Sequence, residues 1–199
     1  MPPSYEQRFP LLAPEDLTPE QRALAESLLA GPRGGGGKNA GADAVATMLR
    51  RGPFNAFMRS PKLGELLQAT GAYVRFESSP GPRLTELAIL VTARYWSAQF
   101  EWQAHHALAL KAGLDPAIAA SIAERRRPEN MKPDEAAVYD FCTELHEAKG
   151  VRDETYRRAV ELFGERGVMD LIGTCGYYTA VSMTLNVARV PVPGEPPLK

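Results

Sequence analysis

Apolar positions in this chain recur every three or four residues over most of its length, and no stretch alternates apolar with polar as a half-buried strand does. The pattern predicts helices near 19–30, 44–51, 54–59, 62–76, 83–95, 98–112, 115–125, 134–149, 153–163 and 166–189. Breaks fall at proline and glycine, namely Pro53, Pro61, Gly81-Pro82, Gly113, Pro128, Pro133, Gly150 and Gly164. The first helix has the clearest start. Thr18, Pro19 at the first helical position and Gln21 form a capping box with a preset φ angle. The fold class is therefore all-α.

Outside this pattern lie three segments. Residues 1–14, "MPPSYEQRFPLLAP", hold prolines and no helical period, so they should form an extended arm across the surface or a neighbouring subunit. Residues 31–43 are a glycine-rich loop whose "GGGGKN" lacks the spacing of a phosphate loop and follows no strand. Residues 191–199 are a proline-rich tail, which leaves 15–190 as a single helical domain. Within it, Gly173 and Gly176 would let another helix approach closely, which predicts that the last helix is central. "ARYWSA" also aligns with "CGYYTA" 82 residues later, a hint of a duplicated helical hairpin.

Composition narrows the partners. With 23 basic and 24 acidic residues the formal net charge is −1, so no overall field would hold nucleic acid or an anionic membrane. The most apolar segment, Val168 to Val190, contains Asp170, Asn186 and Arg189, each costly in hydrocarbon, and reads as a buried helix. Cys142 and Cys175, the two cysteines, do not make a disulfide framework, and no signal sequence opens the chain. A reduced, cytoplasmic protein is expected.

The stretch "RYWSAQFEWQAHHALALKAGL" carries the candidate chemistry. Glu101 and His105 stand at i and i+4, where they share a helix face and can hydrogen-bond, making the imidazole more basic and fixing its tautomer. Phe100, Trp102, Leu108 and Leu110 surround them with apolar bulk, and an ionisable group buried there needs a partner. Glu86 is the natural second carboxylate. On one unbroken helix it would lie roughly 22 Å from Glu101, so a reversal near Trp96-Ser97, with Ser97 as N-cap, is required. His106 should face solvent or a subunit contact, and His146 is read as structural. Glu101 and His105 supply two ligands without a surrounding His-Glu-x-x-His, so no metal is expected.

"ELAILVTARYWSAQFEWQAHHALALKAGLDP" resembles the core motif of the carboxymuconolactone decarboxylase family, whose relatives include the alkylhydroperoxidase D proteins. The resemblance runs from about Phe54 into the tail "NVARVPVPGEPPL". The peroxidase branch carries a Glu, then Cys-x-x-Cys at 12 and 15 residues further on, then a His at 19. Counting from Glu86, those places hold Ala98, Glu101 and His105. With both redox cysteines gone, no thiolate stands there to attack a peroxide, and Cys142 and Cys175 fall outside the motif as small core residues.

The cysteine-free pattern is similar to the decarboxylase-like branch. That resemblance implies an AhpD-like compact helical fold with a central hairpin, a homo-oligomer, and a cofactor-free lyase acting on a small carboxylated lactone. Glu86, Glu101 and His105 would then be catalytic. Losing carbon dioxide leaves a dienolate to be stabilised and protonated, with His105 as donor, Glu101 orienting it, and Glu86 as acid or water holder. Tyr95 and Trp96 could wall the pocket and Asn186 could touch substrate or cap a backbone group. Arg94, Arg83 or Arg189 could bind a substrate carboxylate. Hydrolysis or isomerisation of another small carbonyl compound, a non-catalytic helical assembly role and, weakest, a residual peroxidase activity are the alternatives.

Overall fold

A computed structural model describes residues 6–32 and 41–199, so residues 1–5 of the arm and 33–40 of the glycine-rich loop lie outside the described residues. A 3-10 turn (Pro14–Asp16) precedes nine α-helices, and no strand occurs among the described residues. The helices are α1 (Pro19–Ala30), α2 (Ala42–Leu49), α3 (Phe54–Phe57), α4 (Pro61–Phe76) and α5 (Pro82–Tyr95), followed by α6 (Gln99–Lys111), α7 (Pro116–Ala123), α8 (Pro133–Ala148) and α9 (Asp153–Ala188). Five of them begin on a proline, because the first helical position needs no N–H and suits its fixed φ. For that reason α4, α5 and α8 start one residue earlier than the break pattern implies. The capping box of α1 is present, with Gln21 N donating to Thr18 Oγ1 at 3.3 Å and Thr18 N donating to Gln21 Oε1 at 2.9 Å. The two final helices that the break pattern predicts meet within α9 at Gly164, whose φ of 66° and ψ of 173° lie outside helical geometry and kink the chain where a side chain would be strained.

The centre is α5, not the last helix. Every residue from Leu84 to Arg94 is buried, because α5 packs against α6, α8 and α9 and separates two apolar clusters. One cluster joins α5 to α7, α8 and the middle of α9 through Leu87, Leu90, Phe141 and Leu171. The other joins α1, α2 and α3 to the later part of α9 through Leu28, Met48, Phe57 and Val181. By contrast α9 leaves Met169, Ile172, Met183 and Val187 exposed on one side. The expected close approach at Gly173 and Gly176 is absent: a Cβ on Gly176 would meet nothing within 4 Å, and one on Gly173 would touch Val74 Cγ1 at an ordinary 3.7 Å.

The close approach is at Gly64, where α4 crosses α1. A Cβ there would stand 2.7 Å from Leu24 Cδ2 and 2.9 Å from the carbonyl oxygen of Phe57. Leu24 can turn away, but the carbonyl belongs to backbone that α3 fixes. Gly64→Ala is thus expected to destabilise the fold by about 1–3 kcal/mol, the overpacking cost outweighing a helix-propensity gain of about 1 kcal/mol. A urea midpoint equal to or above that of the parent would contradict this packing.

Polar groups fix the remaining geometry. Asp170, buried on α9, accepts from Tyr73 Oη at 2.9 Å and from Ser79 N and Oγ at 2.8 and 2.7 Å, tying the α4–α5 connection to α9. Burial alone would raise its pKa, but the Ser79 and Tyr73 bonds outweigh that and hold it low. Arg83 pairs with Asp134 at 2.5 Å and with Glu135, locking the start of α5 to α8, so it serves structure. The described part of the arm lies on its own chain, with Arg8 N donating to Ala188 O at 2.8 Å and Asn55 Nδ2 donating to Phe9 O at 2.8 Å. The tail also turns back, burying Leu198 and bonding its backbone twice to Gln99.

Candidate functional site

The reversal that Glu86 requires lies between α5 and α6. The α5 ladder closes at Trp96, Ser97 takes a left-handed φ of 48°, and Ala98 N donates to Ala93 O at 2.9 Å before α6 begins. Ser97 is not the N-cap. That place belongs to Ala98, while the Ser97 hydroxyl accepts from Arg94 and Arg125 instead. The two helices run side by side, and Glu86 meets His105, nineteen residues later in sequence.

His105 is held at both ring nitrogens. Nδ1 lies 2.6 Å from Glu86 Oε2 and Nε2 lies 3.0 Å from Glu101 Oε1, the i,i+4 bond that the spacing predicts. All three groups are buried, at 7 %, 4 % and 6 % exposure for Glu86, Glu101 and His105, so neither bond is diluted by solvent. Burial drives the imidazole pKa down, but the charge and hydrogen bond of Glu101, then those of Glu86, lift it to about 9. At neutral pH the ring is therefore an imidazolium donating both N–H groups, a proton donor and not a base. The edge of His105 meets the Tyr178 ring, with centroids 5.1 Å apart and planes at 80°.

A cavity of about 600 Å³ opens beside this triad. Its walls come from α1, α2, α6 and α9, with Leu28, Met48, Phe100, Leu108, Tyr177 and Val181 giving it an apolar interior. Glu101 and His105 line it, and Glu86 does not. Glu86 therefore meets the ring from behind, through Nδ1, while Glu101, the partner of Nε2, lies in the cavity wall. Arg51 and Arg75 bring positive charge to the same cavity, and neither has a carboxylate partner among the described residues. The Arg75 guanidinium lies 5.1 Å from the Phe76 ring centroid. Asp43 also reaches the cavity.

The other candidates lie elsewhere. Arg94 bonds to Ser97 Oγ and to Lys199 O, Tyr95 stacks on His146 with centroids 4.9 Å apart, and Trp96 Nε1 donates to Thr179 Oγ1 at 3.1 Å. Asn186 is exposed and not deep, and its Nδ2 caps the Trp96 carbonyl at 2.9 Å. None of the four lines the cavity. They cluster around the C-terminal end of α5, at the end of the hairpin away from His105. Arg51, Arg75, Tyr177 and Tyr178 were missed because nothing in their local spacing marks them. "CGYYTA" did draw notice, but as a repeat of "ARYWSA". The first lies inside α9 and the second at a helix end, so the two are not equivalent in structure.

Cys142 and Cys175 are free thiols in the apolar core, 0 % and 2 % exposed and outside the cavity. They are in hydrogen-bond contact, and that contact together with burial holds the Cys142 thiol well above its usual pKa. His146 stands beside them, buried, with Nε2 at 2.9 Å from Thr92 Oγ1. His106 stacks on Trp102 with centroids 6.1 Å apart. Among the described residues no group of three or more His, Cys, Asp or Glu side chains is placed to hold a metal ion. No described helix is long and apolar enough to cross a membrane. Comparison of the chain with protein-family models and with curated proteins finds no match.

Proposed function

We propose that this protein is a cofactor-free acid/base enzyme of the carboxymuconolactone decarboxylase kind, acting on a small carboxylated lactone in the cavity beside His105. One observation carries the reading: an imidazolium gripped by two carboxylates forms part of the wall of an apolar cavity that also holds two arginines without carboxylate partners among the described residues. The arginines supply the cations that a carboxylated substrate needs, in place of Arg94. Loss of carbon dioxide leaves a dienolate, which the low-dielectric cavity and its cations stabilise. His105 then supplies the proton from its Nε2 side, where Glu101 and the cavity meet. Glu86 is a positioning residue that holds Nδ1. An AhpD-like homo-oligomer is what the resemblance of the motif implies, and the exposed apolar residues of α9 offer a face for it. Free buried thiols suit a reduced, cytoplasmic setting.

The test is proton NMR of the purified protein with 4-carboxymuconolactone, following loss of substrate and appearance of the enol-lactone. Turnover is expected, and Arg75→Gln should raise KM by about 10- to 100-fold, the worth of a charge-assisted bond, with kcat changed far less. No turnover at high enzyme concentration would retire this substrate. A second reading keeps the residues and changes the reaction. At about 600 Å³ the cavity is in the range that takes drug-sized ligands, so hydrolysis or isomerisation of a larger carbonyl compound also fits it.

A further inference from the structure

A smaller cavity, of about 80 Å³, lies at the other end of α5, lined by Arg94, Tyr95, Arg125, Tyr139, His146 and Glu147 among others. It shares no lining residue with the larger cavity. Two guanidiniums converge here on one hydroxyl, with Arg94 Nη1 donating to Ser97 Oγ at 3.2 Å and Arg125 Nη2 donating to it at 3.0 Å. Accepting two bonds uses both lone pairs of the Ser97 oxygen and leaves its proton to give. Arg94 is 7 % exposed, its second amino group donates to Lys199 O at 2.8 Å, and its Nε is buried with no hydrogen-bond partner. Arg125 has no carboxylate partner among the described residues, while the Arg94 partner is an oxygen of Lys199, the last residue of the chain. Glu147, the acidic residue of the lining, is exposed.

We propose that this cavity is a second binding site, for one small oxyanion, held by Arg94 and Arg125. The buried Nε of Arg94 has no acceptor and the Arg125 charge has no carboxylate partner among the described residues, which is the arrangement that an anion completes. Burial and then the neighbouring charge of Arg125 push the Arg94 pKa down, so the pair repels and an anion between them would relieve it. Size limits the ligand. About 15 Å³ of such space seats one water, so the cavity takes an ion of a few heavy atoms, such as phosphate or a short carboxylate, and not a nucleotide.

Calorimetric titration of the full chain with inorganic phosphate and, separately, with acetate, at matched ionic strength in chloride, tests the site. One of the two anions is expected to bind at one per chain, and which one saturates names the source. Arg125→Gln should weaken that binding about tenfold or more, and because Arg125 is exposed the variant should keep its fold. Arg75→Gln, in the larger cavity, should leave it unchanged. Failure of both anions to bind, binding undiminished by Arg125→Gln, or binding lost in Arg75→Gln instead would each overturn the proposal. These outcomes do not depend on turnover of any lactone.

Discussion

Replacing His105 with alanine is expected to lower turnover by about 10²- to 10⁴-fold, the usual contribution of a positioned general acid. The argument rests on its two bonds. With Nδ1 at 2.6 Å from Glu86 and Nε2 at 3.0 Å from Glu101, the ring is the group in this site raised to a pKa of about 9, hence charged with a proton at neutral pH and aimed towards the cavity. Removing it also leaves Glu86 and Glu101 buried without the cation between them. Breaking such a buried pair costs about 3–5 kcal/mol, so loss of activity in the alanine variant could follow from unfolding alone. His105→Gln separates the two effects, because its amide can still donate to a carboxylate but cannot deliver a proton. A folded Gln variant with turnover as low as the alanine variant supports proton donation by His105. Near-normal turnover in the Gln variant would mean that His105 only holds the hairpin together, and the proposed chemistry would fall.

What was legible in the sequence follows from how local each signal is. Helix positions read well because a 3.6-residue period and a proline at the first turn are properties of neighbouring residues. The Glu101–His105 bond is likewise a matter of i,i+4 geometry, and Glu86 became a partner once a break near Trp96-Ser97 was recognised. Cavity lining is different. Arg51 follows α2, Arg75 lies in the last turn of α4, and Tyr177 and Tyr178 lie within α9, so only the tertiary arrangement of those helices brings them into one cavity wall with His105. Proximity to the motif in sequence favoured Arg94, Tyr95 and Trp96, yet a helical hairpin carries residues at its turn away from those near the far ends of its arms. Gly173 and Gly176 misled for a related reason. A small residue permits close approach, but whether a neighbour uses the space depends on which face α9 turns inward, and Gly64 is where that space is used.

The stability that His105 contributes should fall as pH rises from about 6.5 to about 9. Its pKa is raised from 6.5 to about 9 in the folded chain, so the folded state binds the proton more tightly than the unfolded state does. The stabilisation is fully present below about 6.5, shrinks across the interval as the unfolded chain stops binding the proton, and is gone above about 9. Two and a half pH units at about 1.36 kcal/mol each give about 3 kcal/mol. The opposite limb belongs to Asp170, Asp134 and Glu144, whose pKa values are lowered and whose contributions are lost in acid. The Cys142–Cys175 pair also titrates away from its usual value, so the informative quantity is the difference between the parent and His105→Gln in urea midpoint across the alkaline interval. That difference should shrink steadily as pH rises and level off above about 9. A difference that stays constant from pH 6.5 to 9 would mean that His105 is not held as an imidazolium, and with it would go both the stability argument and the proton that the proposed reaction needs.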